Sequence, residues 1–130
     1  MKFKLFKSFF ILIFLSSINY SQSDATLNSD LYKWLKSLPD VEVNPIKHDH
    51  IFSEAYEIYI TQPIDHNNPS GPRFKQQIFL SHTDKDKSMV VELDGYAVNN
   101  NTTELSKLLN CNQIMVEHRY FGESVPSPFD

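Results

Sequence analysis

A serine, a histidine and an aspartate lie close together near the end of the chain: Ser124, His118 and Asp130. These residue types can form a triad in which histidine takes the proton of a serine nucleophile. Such a serine usually lies in a Gly-x-Ser-x-Gly turn between a strand and a helix, because small neighbours fit that strained turn. Here residues 122–126 read Gly-Glu-Ser-Val-Pro, so proline replaces the second glycine and no helix pattern follows. We therefore expect Ser124 to form local hydrogen bonds, and no catalytic residue to lie within this chain.

Histidines in the first half of the chain raise the question of a metal site. His48, Asp49 and His50 precede the first predicted strand, and His66 follows it. A structural zinc site needs four ligands held by further hydrogen bonds, and no spacing in the chain completes such a set. We therefore predict a solvated loop at residues 48–50, with no metal and no cofactor.

The N-terminal residues have the pattern of a leader. Three lysines precede an apolar run at residues 9–15, which is too short to span a bilayer, and Ser21 or Ser23 suits a signal peptidase. We expect residues 1–23 to be a signal peptide, so that the mature chain is secreted or periplasmic and has no membrane span.

Composition narrows the class of the remaining chain. Removal of residues 1–23 leaves 107 of the 130 residues, and the loss of three lysines changes the formal net charge from −4 to −7. An acidic chain without a basic run argues against nucleic-acid binding, which depends on phosphate neutralisation. Cys111 is the single cysteine, so no disulfide within the chain can stabilise the fold.

Hydrophobic periodicity predicts the elements of the first half. An apolar stripe at helical spacing predicts a short helix that ends at proline: Leu31, Trp34, Leu35 and Leu38, then Pro39. Residues 53–62 and 74–82 alternate between apolar and polar side chains, as expected of strands with one buried face. The polar segment between them predicts an antiparallel pair joined by a long loop.

The second half has the pattern of a βαβ unit. Residues 89–93 and 113–117 are almost continuously apolar, which predicts strands covered on both faces. Thr102 or Thr103 can cap a helix between them. That helix should bury three leucines: Leu105, Leu108 and Leu109. A strand, a helix and a strand within about 30 residues imply a parallel pair with a right-handed crossover.

The predicted fold class is α/β, but the chain has too few predicted helices and strands to form a complete α/β domain. A single βαβ unit exposes two sheet edges and two faces, which one hairpin and two short helices cannot cover. Large single-domain α/β folds need about 200–250 residues. We therefore expect the opening of a larger α/β domain.

Two motifs carry a resemblance to a known family. Gln62-Pro63-Ile64-Asp65-His66 follows the first predicted strand, and residues 117–126, Glu-His-Arg-Tyr-Phe-Gly-Glu-Ser-Val-Pro, follow the last. With the segment Leu35-Lys36-Ser37-Leu38-Pro39 and the spacing between them, they resemble the N-terminal region of secreted serine exopeptidases of the tripeptidyl-aminopeptidase family, related to the prolyl carboxypeptidase group. The resemblance covers residues 31–130. It implies an α/β-hydrolase fold with a Ser-Asp-His triad whose members would all lie beyond Asp130.

The resemblance also implies site residues within this chain. In α/β-hydrolases the loop after the first parallel strand supplies an oxyanion-hole N–H, which here points to Tyr96 and Gly95. An ordinary loop glycine is the alternative. An aminopeptidase needs a carboxylate for the ammonium group of its substrate, and Glu117 or Glu123 can line that site with Arg119. For Arg119 we favour the alternative that it pairs with a nearby carboxylate and fixes the loop.

The sequence thus predicts a signal peptide at 1–23, a helix with an extended lead-in at 24–52, and the start of an α/β-hydrolase domain at 53–130, which stops before the nucleophile elbow. The function implied by the resemblance is the N-terminal part of a secreted serine aminopeptidase acting on peptide substrates, with this chain inactive by itself. Two alternatives stay open, a small exported binding module without catalysis and a fragment of an esterase on the same fold.

Overall fold

The structure, a computed structural model, describes residues 26–96 and 98–126, so the predicted signal peptide lies outside the described residues. In chain order its elements are α1 (Asp30–Ser37), β1 (Val41–Pro45), β2 (Glu54–Pro63), β3 (Arg73–His82), β4 (Met89–Asp94), α2 (Glu104–Leu109) and β5 (Asn112–Glu117). No helix in the described ranges is both long and apolar enough to cross a membrane.

The whole sheet lies in a compact unit that begins at Leu35. The first turn of α1 is capped by Ser29, whose Oγ accepts a hydrogen bond from the Tyr32 N–H at 3.0 Å. Of the predicted apolar stripe, Leu35 is buried whereas Trp34 is 58% exposed. The helix is therefore present as predicted, but its stripe is buried only in part.

The sheet has five strands in the order β1-β2-β3-β5-β4. Strands β2 and β3 pair antiparallel, with Ile58 opposite Ile78. Strands β4 and β5 pair parallel, and β5 also pairs antiparallel with β3. The predicted antiparallel pair and the predicted βαβ unit are thus both confirmed, and together they form a mixed α/β sheet. Strand β1, which pairs antiparallel with β2, was not predicted.

The apolar core is drawn mainly from this sheet. Its most buried hydrophobic side chains on the strands are Val43, Ala55, Tyr56, Ile58, Phe74, Leu80, Val90 and Met115. Cys111, just before β5, is 1% exposed and has a free thiol, as expected of a small apolar residue.

Two predictions of burial are wrong, and both concern one end of the sheet. On β4 the side chains of Met89, Val91 and Leu93 are 47%, 58% and 67% exposed. On α2 the predicted inward leucines are exposed, and Ser106 is the buried residue. The physical reason is that these side chains can be buried only by a further layer packed on them, and the described residues supply none. Strand β4 is also the edge strand, with β5 as its one neighbour. The predicted cap is confirmed, because Thr103 Oγ1 accepts a hydrogen bond from the Ser106 N–H at 3.1 Å.

Candidate functional site

The candidate site lies at the carboxyl ends of the parallel strands β4 and β5, where ligands usually bind in α/β sheets. The last residues of the two strands, Asp94 and Glu117, lie opposite each other. The following residue, His118, donates its N–H to the Asp94 carbonyl at 2.8 Å. On the other side, Gln76 of β3 donates through Nε2 to the Glu117 carbonyl at 2.7 Å. Three strands therefore fix the point at which the loop after β5 begins.

The carboxylate of Glu117 organises this loop from inside. Its side chain is 1% exposed, and its Oε2 accepts hydrogen bonds from the N–H groups of Glu123 and Ser124, both at 2.9 Å. The Ser124 hydroxyl donates to the same oxygen at 2.8 Å. Buried carboxylate oxygens are stable only when such donors replace water. In this structure these loop donors occupy Glu117 Oε2. A contact between Glu117 and the amine of a substrate stays a prediction.

Glycine is required at position 122 by both conformation and space. Gly122 has φ +45°, and a Cβ built there would lie 2.0 Å from Glu117 Oε1. Tyr120 also has a left-handed backbone, with φ 72°, and its N–H donates to the Ser124 carbonyl at 2.9 Å. The loop therefore turns tightly around the Glu117 carboxylate, which a Cβ at position 122 would displace.

Ser124 has a structural hydrogen-bond role. It is fully buried, and besides donating to Glu117 its Oγ accepts from the Gln77 N–H of β3 at 2.9 Å. These contacts agree with the prediction that Ser124 forms local hydrogen bonds. Of the two residues near it in sequence that could have completed a triad, His118 is exposed and Asp130 lies outside the described residues.

Arg119 joins the two motif segments, and the residues that it contacts there lie more than 50 positions before it in the sequence. Its Nη1 contacts His66 Nε2 at 3.1 Å, and its Nη2 donates to the carbonyls of Pro63, at 3.2 Å, and Ile64. The guanidinium also lies 4.7 Å from the centre of the Phe74 ring. The expectation of a local carboxylate partner is wrong for the described residues, because the acceptors are a histidine and two backbone carbonyls. Arg119 instead connects the loop after β5 to the Gln62–His66 segment.

The predicted oxyanion donors lie on the loop after β4. The Tyr96 N–H donates to Asp94 Oδ1 at 3.1 Å, and the Tyr96 side chain is 83% exposed. A Cβ on Gly95 would meet only the His118 ring, at 3.8 Å. The oxyanion role of both residues stays a prediction, and it requires that the Tyr96 N–H exchange Asp94 for the substrate oxygen.

A polar network on β2 and β3 was missed by the sequence analysis. The Tyr59 hydroxyl donates to Glu57 Oε1 at 3.0 Å, and Gln77 Nε2 contacts both groups, at 2.8 Å from Glu57 and 3.1 Å from Tyr59. Burial, followed by the hydrogen bond and charge of Glu57, raises the pKa of Tyr59 above its usual 10.0, and the exposed Glu123 contributes in the same direction. The i, i+2 spacing of Glu57 and Tyr59 on one strand face was the signal that could have found this network.

The histidines do not come together as metal ligands. His50 Nδ1 contacts Asp49 Oδ1 at 2.6 Å, and Lys107 Nζ lies 3.9 Å from the other oxygen. Burial raises the pKa of Asp49, but the Thr102 hydrogen bond with the charges of His50 and Lys107 outweighs it and leaves the pKa lowered. His66 is instead bound to Arg119. In the part of the chain that the structure describes, no three His, Cys, Asp or Glu side chains form a metal-binding group.

These features define an α/β chain in which two motif segments meet beside the carboxyl ends of a parallel strand pair. The chain belongs to the PS-10 peptidase S37 family, whose model matches residues 28–130. It is 38% identical over 71 residues to the prolyl tri/tetrapeptidyl aminopeptidase of Streptomyces mobaraensis. Those residues are 53% of this chain and 15% of the relative, so the chain matches a small share of that enzyme's length. No solved structure matches the chain. The resemblance to the tripeptidyl-aminopeptidase family is thereby confirmed.

Proposed function

We propose that the chain forms the N-terminal part of an α/β-hydrolase-type serine aminopeptidase that acts on proline-containing peptides. The observation that carries the proposal is the junction made by Arg119 between the Gln62–His66 segment and the loop after β5, at the ligand-binding end of the parallel pair. The antiparallel strands followed by strand, helix and strand suit the opening of that fold. The preference for proline follows the name of the Streptomyces relative.

The proposed reaction divides between this chain and a later part of the complete enzyme. In that later part, a serine oxygen bonds to the carbonyl carbon of the peptide while the serine proton passes to histidine. The histidine then gives this proton to the leaving amine, the C–N bond breaks, and an acyl-enzyme remains. Water then hydrolyses the ester and releases the peptide acid. The N–H groups of Gly95 and Tyr96 would stabilise the oxyanion, and the Glu117-centred loop would form one wall of the site.

The exposed end of the sheet supports the proposal that this chain is one part of a larger domain. Met89, Val91 and Leu93 of β4 present an apolar face, and the outer edge of β4 has no strand partner among the described residues. Large exposed apolar surfaces and free strand edges are normally covered in a complete protein. We therefore propose that residues 53–130 begin the hydrolase domain, that residues 24–52 lead into it, and that residues 1–23 direct export. The chain alone would be inactive.

A chimera tests this function. Residues 28–130 would replace the matching region of the Streptomyces relative, and hydrolysis of a tripeptidyl-naphthylamide with proline next to the scissile bond would be measured. We expect the chimera to be active, and the 130-residue chain alone to show neither turnover nor covalent labelling by a fluorophosphonate. Serine-inhibitor-sensitive turnover by the chain alone would contradict the proposal, as would a chimera that unfolds cooperatively but is inactive.

A further inference from the structure

Two aromatic side chains project into solvent at the ligand-binding end of the parallel pair. The rings of Tyr96 and Phe121 meet edge to face, with centroids 5.8 Å apart and planes at 66°. Tyr96 is 83% exposed and Phe121 is 41% exposed. The His118 ring extends the group, 6.5 Å from Phe121. We call Tyr96 and Phe121 the aromatic pair.

The backbone holds the aromatic pair in place although its side chains are exposed. The Tyr96 N–H is bound to Asp94, and Asp94 in turn accepts the His118 N–H. On the second loop, Phe121 donates its N–H to the His118 carbonyl at 3.3 Å and accepts from the Ser124 N–H at 2.8 Å. Because Ser124 is itself tied to the buried Glu117, both rings are attached to strand ends. A surface that is ordered before binding costs less entropy when a ligand arrives.

The chemistry of the aromatic pair suits a prolyl ring. Exposed aromatic rings attached to ordered loops lose solvent contact when an apolar ligand covers them, and ligand sites are commonly lined by such rings. Proline is rigid and has no backbone N–H to desolvate, which is why aromatic surfaces recognise it repeatedly. A longer polar side chain would gain less from the same rings, because its polar end would lose water without a partner.

We propose that Tyr96 and Phe121 form the subsite for the prolyl ring of the substrate, an inference that rests on the proposed function. Tyr96 also carries the N–H predicted to bind the oxyanion, so the subsite lies beside the carbonyl that reacts. The exposed leucines of α2 lie on a helix and not on the loops that follow β4 and β5. Proline selectivity is therefore assigned to the aromatic pair rather than to exposed apolar surface in general.

A nuclear magnetic resonance titration of the 130-residue chain tests the subsite directly. The probes are the amides of Ala-Ala-Pro and Ala-Ala-Ala, which differ at the residue to be recognised. We expect the proline peptide to bind at least about fivefold more tightly and to shift the signals of Tyr96 and Phe121, a difference of about 1 kcal/mol. Equal affinity for the two peptides, or no detectable binding of either, would overturn the proposal.

Substitutions separate the subsite from other exposed surface. Tyr96→Ala and Phe121→Ala should each reduce the preference to less than about twofold, whereas Leu108→Ala, at a leucine that is 82% exposed on α2, should keep it. Because Tyr96 is almost fully exposed, its replacement leaves the core intact, and unchanged spectra elsewhere in the chain would verify this. Retention of the preference in Tyr96→Ala and in Phe121→Ala would overturn the subsite.

The chimera distinguishes failure of the subsite from failure of the proposed function. An active chimera in which Tyr96→Ala keeps the ratio of kcat/KM for proline over alanine would overturn the subsite and leave the function standing. A folded but inactive chimera would contradict the function, while the titration of the 130-residue chain would still decide whether the aromatic pair binds proline.

Discussion

The buried carboxylate of Glu117 and the buried hydroxyl of Ser124 form a 2.8 Å hydrogen bond inside the loop after β5. The same hydroxyl accepts from the Gln77 N–H, so one oxygen connects this loop to the neighbouring strand β3. The serine that most resembles a nucleophile in the sequence is thus enclosed by the fold. Its loss should be measurable as a change in stability.

Ser124→Ala should lower the free energy of unfolding by about 1–3 kcal/mol, because it leaves the Gln77 N–H without an acceptor in a buried position. Urea unfolding followed by circular dichroism measures this. Ser70→Ala is the matched control, since Ser70 lies on an exposed loop and should change stability by less than about 0.5 kcal/mol. Equal effects of the two substitutions would contradict the structural role of Ser124.

Gly122→Ala should destabilise the chain by at least about 1–2 kcal/mol, the usual cost of a left-handed backbone for a residue with a Cβ. Displacement of the Glu117 carboxylate adds to that cost. Gly95→Ala serves as the control, because a Cβ there meets only His118 at 3.8 Å, and we expect a change within about 0.5 kcal/mol. The two urea transitions should differ clearly in midpoint.

A double-mutant cycle separates the two causes at Gly122. In a Glu117→Ala background the steric conflict disappears and only the backbone strain remains. Gly122→Ala should therefore cost less in that background than in the native chain. If the cost is the same in both, the carboxylate does not limit the space at position 122.

Arg119→Lys should destabilise the junction of the two motif segments by about 1–2 kcal/mol, since a single ammonium cannot reproduce the planar fork that meets His66 and two carbonyls. Hydrogen exchange of residues 62–66 should increase in the variant. Arg73→Lys is the control, because Arg73 is exposed and its ion pair with Asp40 should be worth at most about 1 kcal/mol. Unchanged exchange at 62–66 would argue against the junction.

Tyr59 should make stability fall at alkaline pH. Burial and the Glu57 hydrogen bond raise the pKa of Tyr59, so the folded chain holds this proton more tightly than the unfolded chain does. The resulting stabilisation is complete below about pH 10 and is lost as the pH rises through the folded-state pKa. Tyr59→Phe should flatten this decline, and an unchanged decline in that variant would contradict the role of Tyr59. Thermal unfolding between pH 8 and 11 measures the difference.

The exposed face of β4 should make the 130-residue chain self-associate. Val91→Lys places a charge in the middle of this face, next to the free strand edge, and should increase the monomer fraction in sedimentation velocity. Asn67→Lys adds the same charge on an exposed polar loop and should leave association as it is in the native chain. An equal effect of both substitutions would show that net charge, rather than the apolar face, controls association.

The strands of the sheet were largely predictable because their signals are local. Alternation at residues 53–62 and 74–82 and continuous apolar runs at 89–93 and 113–117 each match an observed strand within a residue or so. Strand β1 was missed because Val41–Pro45 is short and ends in proline, which reads as a connection. The prediction of burial at β4 and α2 was wrong because an apolar pattern indicates only that these side chains favour burial. Burial itself needs a second layer of structure packed on them.

The site was less predictable, because its contacts join distant parts of the sequence. The location of Glu117 and Arg119 at the end of β5 was predicted, but not that Arg119 would bind carbonyls in the Gln62–His66 segment. The enclosure of Glu117 by Gly122 and Ser124 depends on a tight turn with positive φ, which residue types alone do not specify. The resemblance identified the correct segments, and only their packing shows what each side chain does.

The 2.0 Å approach between Glu117 Oε1 and a Cβ at position 122 has a consequence for how this loop can evolve. Position 122 cannot take a larger residue while Glu117 keeps its carboxylate, since a Cβ at 122 needs a shorter side chain at 117. That shorter side chain releases the donors at 123 and 124. Homologues that retain the glutamate should therefore retain the glycine, and those that lose the glycine should also have lost the glutamate. The glutamate thus sets which residues the loop can accept at position 122.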